Sequence, residues 1–298
     1  MSLSLFTLLP DYNQLIPPPY SYIVVGALGA IIGSFLNVVI HRLPLEESVA
    51  FPTSKCPSCS TAIAFYDNVP VLSYVLLGGR CRSCKTRISP RYPAVELMTA
   101  LLFVAVSSRT GINLALPFDL VFVSALIALV FIDAEHMILP NAITYPGMVF
   151  ALVARVVIPY LVGEPHFDDL PGLLSGTFAG WPLWAASLGG ALIGALVGGG
   201  SLWLMGFAWE KLRGIEAMGL GDVKMMFMVG AYFGWRLSIL TIFLGVFSGS
   251  LIGILVMIRQ GKKDMQMLLP FGIFLGIGSI LALLIGPQIV EWYAGQFR

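Results

Sequence analysis

Eight apolar stretches, each near the roughly 17 to 25 residues that cross a bilayer, dominate this chain and leave few folds open to it. They run near Tyr20–Ile40, Pro93–Ser108, Pro117–Ile132, Asn141–Leu161, Trp181–Ala208, Gly219–Gly234, Arg236–Ile258 and Met265–Ile289. In hydrocarbon every backbone N–H and C=O must be satisfied internally, so stretches of this kind predict an all-α polytopic membrane protein of about eight transmembrane helices. Of the 298 residues 57% are hydrophobic and 11% charged, against about 25% charged in soluble domains. A soluble surface is excluded. The second, third and sixth stretches are short, and Pro146 and several glycines blur the boundaries, so eight is the reading that best fits the charges.

Orientation follows from where Lys and Arg fall. With eight spans and the start outside, thirteen of the 17 basic residues face the cytoplasm, from Arg42 to Lys263, and Arg109, Arg155, Arg236 and Arg298 remain outside. The loop carrying Glu164, His166, Asp168 and Asp169 then falls on the outer side. The first 41 residues contain no Lys or Arg, so the start lacks the basic region of a cleavable signal. This divides the chain into a periplasmic tail over 1–19, a first span over 20–41, a cytoplasmic tetracysteine module over 42–91 and a membrane domain over 92–298. The bilayer is the expected surrounding, and no nucleic-acid partner is expected.

Two aspartates interrupt this apolar pattern. Asp133 ends the run Leu120–Ile132, and Asp222 opens another within Gly219-Leu220-Gly221-Asp222. A carboxylate near hydrocarbon costs at least a few kcal/mol and by default marks function. The third span runs inward and the sixth outward, so both acids lie at the cytoplasmic face. Pro140 disfavours helix just before it, which predicts that the third helix ends at or soon after Asp133, with Glu135 and His136 in the loop beyond. Gly219 and Gly221 leave room for an extended strand beside Asp222, and Lys224 reads as an interfacial charge rather than a partner of the acid. An aspartate at a helix start can also be a simple N-cap.

All four cysteines lie in the first cytoplasmic loop, as Cys56-Pro57-Ser58-Cys59 and Cys81-Arg82-Ser83-Cys84. Each Cys-x-x-Cys turn presents two thiolates, and two such turns complete a tetrahedral structural zinc site. A reducing location argues against disulfides. The segment Ala64–Tyr74 between them is too short to span and is expected to pack on this ribbon or on the membrane surface. Gly29-x-x-x-Gly33, Gly190-x-x-x-Gly194-x-x-x-Gly198, Gly245-x-x-x-Gly249-x-x-x-Gly253 and Gly272-x-x-x-Gly276 read as helix packing faces. Met225, Met226 and Met228 read as lipid-facing or gap-filling.

Taken in order, Gly33-Ser34-Phe35-Leu36-Asn37 through His41-Arg42-Leu43-Pro44, the paired cysteines, Arg91-Tyr92-Pro93 with Glu96, the Asp133 motif and the Asp222 motif resemble the bacterial type IV prepilin peptidases. These are membrane aspartyl proteases of the Gly-x-Gly-Asp class. One departure stands in Pro270-Phe271-Gly272-Ile273, where isoleucine replaces an expected second proline.

The resemblance implies that Asp133 and Asp222 are a catalytic pair, cutting the leader from prepilins or pseudopilins after a glycine at the cytoplasmic face of the bacterial inner membrane. It further implies N-methylation of the newly exposed residue with S-adenosylmethionine. No Gly-x-Gly-x-x-Gly follows a strand here, so no dinucleotide-type site for that cofactor is visible. Asn37, His41, Arg42 and Glu96, which lie near the module, could bind the cofactor or the new amino terminus. For Asn37 a plain helix contact, and for Arg42 a plain interfacial anchor, are equally open. The alternative from another class is a transporter or channel with a regulatory zinc ribbon. Its sites generally lie near the midplane between repeated halves, whereas these acids sit at one face.

Overall fold

The computed structural model describes residues 17–51, 54–167, 180–214, 218–260 and 270–296. Most of the N-terminal tail that the charges placed in the periplasm, Asp168, Asp169, Lys262, Lys263 and Arg298 lie outside the described residues, as does the start of the last apolar stretch. Among the described residues the elements are α1 (Pro18–Arg42), α2 (Leu72–Leu76), α3 (Arg91–Thr110), α4 (Leu116–His136), α5 (Asn141–Val162), α6 (Leu183–Ala195), α7 (Ser201–Arg213), α8 (Leu220–Phe233), α9 (Trp235–Gln260) and α10 (Phe271–Gly295). No strand occurs among them, only the isolated bridges Lys55 to Ala62 and Arg80 to Arg87. Pro17, Pro90, Pro140, Pro182 and Pro270 occupy the N-cap positions of α1, α3, α5, α6 and α10. There the missing N–H costs nothing and φ is preset. A wide turn over Leu196–Gly200 joins α6 to α7 without a break in the helix.

Among the described residues six helical stretches are long and apolar enough to cross a membrane: α1, α4, α5, the continuous Leu183–Arg213, α9 and α10. The two others of the expected eight exist as helices. However, α3 carries Arg91, Glu96 and Arg109, and α8 has 14 residues.

The described chain divides inside α4 into two compact units, with the boundary between Ala128 and Leu129. In the unit that ends at Ala128, α1 and α3 pack through their small residues. A Cβ on Gly29 would lie 2.8 Å from Ala100 Cα, and one on Gly33 would lie 2.7 Å from Glu96 Cα. The glycine spacing here is a packing face, as the sequence led us to expect.

In the unit that begins at Leu129, α6 and α8 meet backbone to backbone, because a Cβ on Gly194 would run into the Gly230 carbonyl and one on Gly198 would lie 2.7 Å from the Met226 carbonyl. Gly245 of α9 packs in the same way against Leu275 of α10. Met225, Met226 and Met228 are completely buried, so of the two readings offered for them, filling gaps is correct and facing lipid is not.

Candidate active site

The helix α4 does not stop at Asp133 but runs one more turn to His136, where Met137 adopts φ +53° and the chain turns toward Pro140. The restriction that proline places on its predecessor falls on Leu139, and two residues, Ile138 and Leu139, separate Met137 from Pro140. Glu135 and His136 therefore stand in the last helical turn, exposed, rather than in the loop. Asp133 itself is buried, at 5% exposure.

Asp222 lies in the first turn of α8, which Gly219 caps without any side-chain hydrogen bond. The simple N-cap reading fails, because the Asp222 carboxylate satisfies none of its helix's free N–H groups. It is half-buried. Gly221 serves packing, since a Cβ there would sit 3.1 Å from Leu139 Cβ. Lys224 turns away from the acid: its Nζ donates to Asn141 Oδ1 at 2.9 Å and lies over the Tyr145 ring.

A third element joins the two acids. The start of α10 brings Gly272 between them, so that a Cβ on Gly272 would lie 2.8 Å from Asp133 Oδ2 and 3.1 Å from Asp222 Oδ1. Both oxygens are thus close to a single point and no more than about 6 Å from each other. The Ile273 N–H donates to Asp133 Oδ2 at 3.0 Å. The N-terminus of α10 also turns its positive dipole end toward the pair. Two carboxyl groups held within this range disfavour double ionisation, and a pair of this kind can hold a water between a base and an acid.

Sequence reasoning did not single out Gly272 or Ile273 as site residues. The signal was present in Pro270, a helix start, but Gly272-x-x-x-Gly276 read only as a packing face. Gly276 does pack, against Val130 and Met225, while Gly272 faces the acids.

The cysteine module folds as two equivalent knuckles. Ser60 N–H donates to the Cys56 carbonyl and Lys85 N–H to the Cys81 carbonyl, with Ser60 at φ +57° and Lys85 at φ +60°. The four thiols are free, and their sulfurs all lie within 4.8 Å of one another, with Cys56 and Cys84 at 3.8 Å. Zinc–sulfur bonds of about 2.3 Å place tetrahedral sulfurs about 3.8 Å apart, so the donor set fits one metal ion. The Thr86 hydroxyl and N–H hold the Cys84 thiol down to about 6. Thr61 holds Cys59 down in the same way. The intervening segment packs on this ribbon: Arg82 grips Asp67 through Nε at 2.7 Å and one terminal nitrogen at 2.6 Å, and lies over the Tyr66 ring.

The four residues considered for the cofactor or amino terminus separate into two pairs. Asn37 and Glu96 are buried on the seam between α1 and α3. Asn37 Nδ2 donates to the Tyr92 carbonyl at 3.0 Å, and Glu96 Oε2 accepts the Val71 N–H at 2.7 Å. His41 is exposed, and Arg42 donates to the Ser48 carbonyl at 3.0 Å, fastening the loop after α1.

Comparison with known proteins shows the family. The bacterial peptidase A24 N-terminal domain matches residues 27–110, and the type IV leader peptidase family matches residues 120–254. A prepilin leader peptidase/N-methyltransferase of Pseudomonas aeruginosa is 35% identical over 309 residues, covering 96% of this chain and 98% of its own length.

This chain belongs to the type IV leader peptidase family.

A similarly described protein of Aeromonas hydrophila is 36% identical, over 94% of this chain and 96% of its own. One of Myxococcus xanthus is 38% identical over 82% of this chain, a match that spans 65% of that relative. No solved structure matches the chain. Membership in a peptidase family leaves the transporter or channel alternative without support. Both acids fall in the stretch that the leader peptidase family matches.

Proposed function

We propose that this protein is a prepilin leader peptidase that uses Asp133 and Asp222 as an aspartate dyad, and that it also N-methylates the residue it exposes. The observation that carries the proteolytic half is the meeting of the two carboxylates around Gly272. One ionised carboxylate takes a proton from water while the other, protonated, donates a hydrogen bond to the scissile carbonyl. The water attacks that carbonyl, and the pair keeps a single proton between them because like charges at this range cannot both ionise freely. Prepilins or pseudopilins are the substrates, consistent with the names of the relatives.

The protein lies in the bacterial inner membrane with its N-terminus periplasmic and the acid pair at the cytoplasmic face, a placement that rests on the distribution of Lys and Arg. Cys56, Cys59, Cys81 and Cys84 hold zinc, which cross-links the module and stabilises it.

For the methyl-transfer half, S-adenosylmethionine supplies an electrophilic methyl group when bound. Of the four residues considered, Asn37 and Glu96 face inward and suit a ligand, because Asn37 Oδ1 is buried without a donor. His41 is exposed and Arg42 half-buried, so they stand at the rim of that seam.

The test is processing of a purified pilin precursor by wild type, Asp133→Asn and Asp222→Asn. Both variants are expected to lose cleavage, and substantial cleavage by either removes the dyad. Mass spectrometry of the product checks methylation separately, since an unmethylated terminus ends that half and leaves proteolysis standing.

A further inference from the structure

The seam between α1 and α3 holds polar groups that neither the acid pair nor the cysteine cluster uses. Gly33 brings α1 onto α3 at Glu96, and one turn away in each of these antiparallel helices Asn37 meets Tyr92. The Tyr92 carbonyl can only accept, so it fixes the Asn37 amide with Nδ2 toward it and Oδ1 away. Asn37 is 3% exposed, and its Oδ1 has no donor among the described residues. Buried acceptors are ordinarily paired, and among the described residues this one is not.

Glu96, at 9% exposure, lies on the same seam, one helical turn or about 5.4 Å along. Its partners among the described residues are the Val71 N–H at 2.7 Å and the Ser34 hydroxyl. No Lys, Arg or His pairs with it there. A buried carboxylate ordinarily has a cation or is neutralised, and this one has two neutral donors.

The donor from the loop is itself held under strain. Val71 adopts φ +60° and ψ −49°, and the Leu72 N–H returns to the Pro70 carbonyl at 2.5 Å. This is a γ-turn with positive φ, a rare and strained form, and a β-branched residue fits it poorly. The Val71 N–H is aimed at Glu96 only because the turn is bent this way. Strained turns persist where the surroundings over-determine them, and they concentrate at ligand sites.

An uncompensated carboxylate and an orphan amide oxygen on adjacent turns ask for a compact cation that donates and does not accept. A primary ammonium, with three donors and no acceptor, meets that description. We infer that Glu96 and Asn37 form a binding site for a primary ammonium group, and that the strained Val71 turn covers the carboxylate until such a group displaces it. The inference deepens the methyl-transfer reading and rests on it for the identity of the ligand. The ammonium can come from the new N-terminus of a cleaved pilin or from the amino-acid end of the methyl donor.

The test uses the full chain in lipid nanodiscs and measures dissociation constants for two pairs of probes. The first pair is a short apolar peptide with a free N-terminal phenylalanine and its N-acetylated form. The second is S-adenosylhomocysteine and its desamino analogue. Wild type is expected to prefer the amine-bearing member of one pair by about tenfold, the size of a charge-assisted hydrogen bond. Glu96→Gln, which is isosteric and can still accept from Val71, is expected to abolish the preference, and Asn37→Leu to reduce it, each with thermal unfolding checked against wild type. A preference within the peptide pair assigns the site to the product amine, and one within the nucleoside pair assigns it to the donor. Equal binding within both pairs, or a preference that survives Glu96→Gln in a folded protein, overturns the inference. Wild type that discriminates the amine yet transfers no methyl group ends the methyl-transfer reading and leaves the site intact.

Discussion

The Ile273 N–H reaches Asp133 Oδ2 at 3.0 Å, so the acid on α4 is oriented by the backbone of a helix 140 residues further along the chain. Ile273 is in the first turn of α10, where N–H groups have no intrahelical partner. The bond therefore orients the acid without taking anything from the helix.

Replacing Ile273 by proline, the residue expected here from the resemblance, tests that bond cleanly. A proline in a first turn leaves the helix intact but removes the N–H. Ile273→Pro is expected to lower the rate of leader cleavage about tenfold, in line with losing one hydrogen bond to a charged acceptor, with Ile273→Val close to wild type. Equal rates for the two variants would show that the bond does not position Asp133.

Gly272→Ala is the sharper substitution. The added methyl would stand 2.8 Å from Asp133 Oδ2 and 3.1 Å from Asp222 Oδ1, so at least one carboxyl must move. Displacement of a reacting group by about 1 Å costs on the order of a hundredfold in rate. The expected result is a loss of that size in kcat with little change in thermal unfolding, and a fully active Gly272→Ala would contradict the geometry.

The cysteine cluster predicts one bound metal per chain, measured by elemental analysis of the purified protein. A strong chelator, or Cys→Ser at any of the four positions, is expected to release it and to unfold the module, because the free energy of binding is free energy of folding at such sites. Retention of the full metal content in Cys56→Ser or Cys84→Ser would exclude the tetrathiolate site.

A pH dependence follows from Asp67. The Arg82 side chain, by hydrogen bond first and by charge second, holds this carboxyl below its ordinary value. A carboxyl lowered in the folded state adds stability above its unfolded value of about 4 and loses it as pH falls through the folded one. Asp67→Asn should lower the unfolding temperature of the module at pH 7 and leave it unchanged near pH 2. A destabilisation that persists at low pH would mean that the ion pair is not its source.

The apolar stretches were legible because hydrocarbon imposes a length and a composition, and both are local properties of sequence. Even the short sixth stretch appeared as the helix α8 nearly where it was read. Glu135 and His136 were placed in the loop rather than in the last turn of α4, because Pro140 was allowed to act further back than its ring reaches. The cysteine spacing named its own partners, since two adjacent knuckles need no distant information. Gly272 was different. Its contact with Asp133 and Asp222 joins three helices far apart in sequence, and a glycine that makes room for carboxylates looks the same in one dimension as one that makes room for a helix. The buried Asn37 and Glu96 stood out by residue type, but the strained turn at Val71 that covers Glu96 had no signature in its residues.

The brevity of α8 has a consequence for any peptide that comes to be cut. Fourteen residues rise about 21 Å, while the oily layer of a bilayer is about 30 Å thick. A rod of that length cannot reach both surfaces. Gly234 turns the chain directly into α9 at the end of α8 away from Asp222. If the proposed dyad cuts a peptide, that peptide has to offer its backbone at the Asp222 end of this short helix.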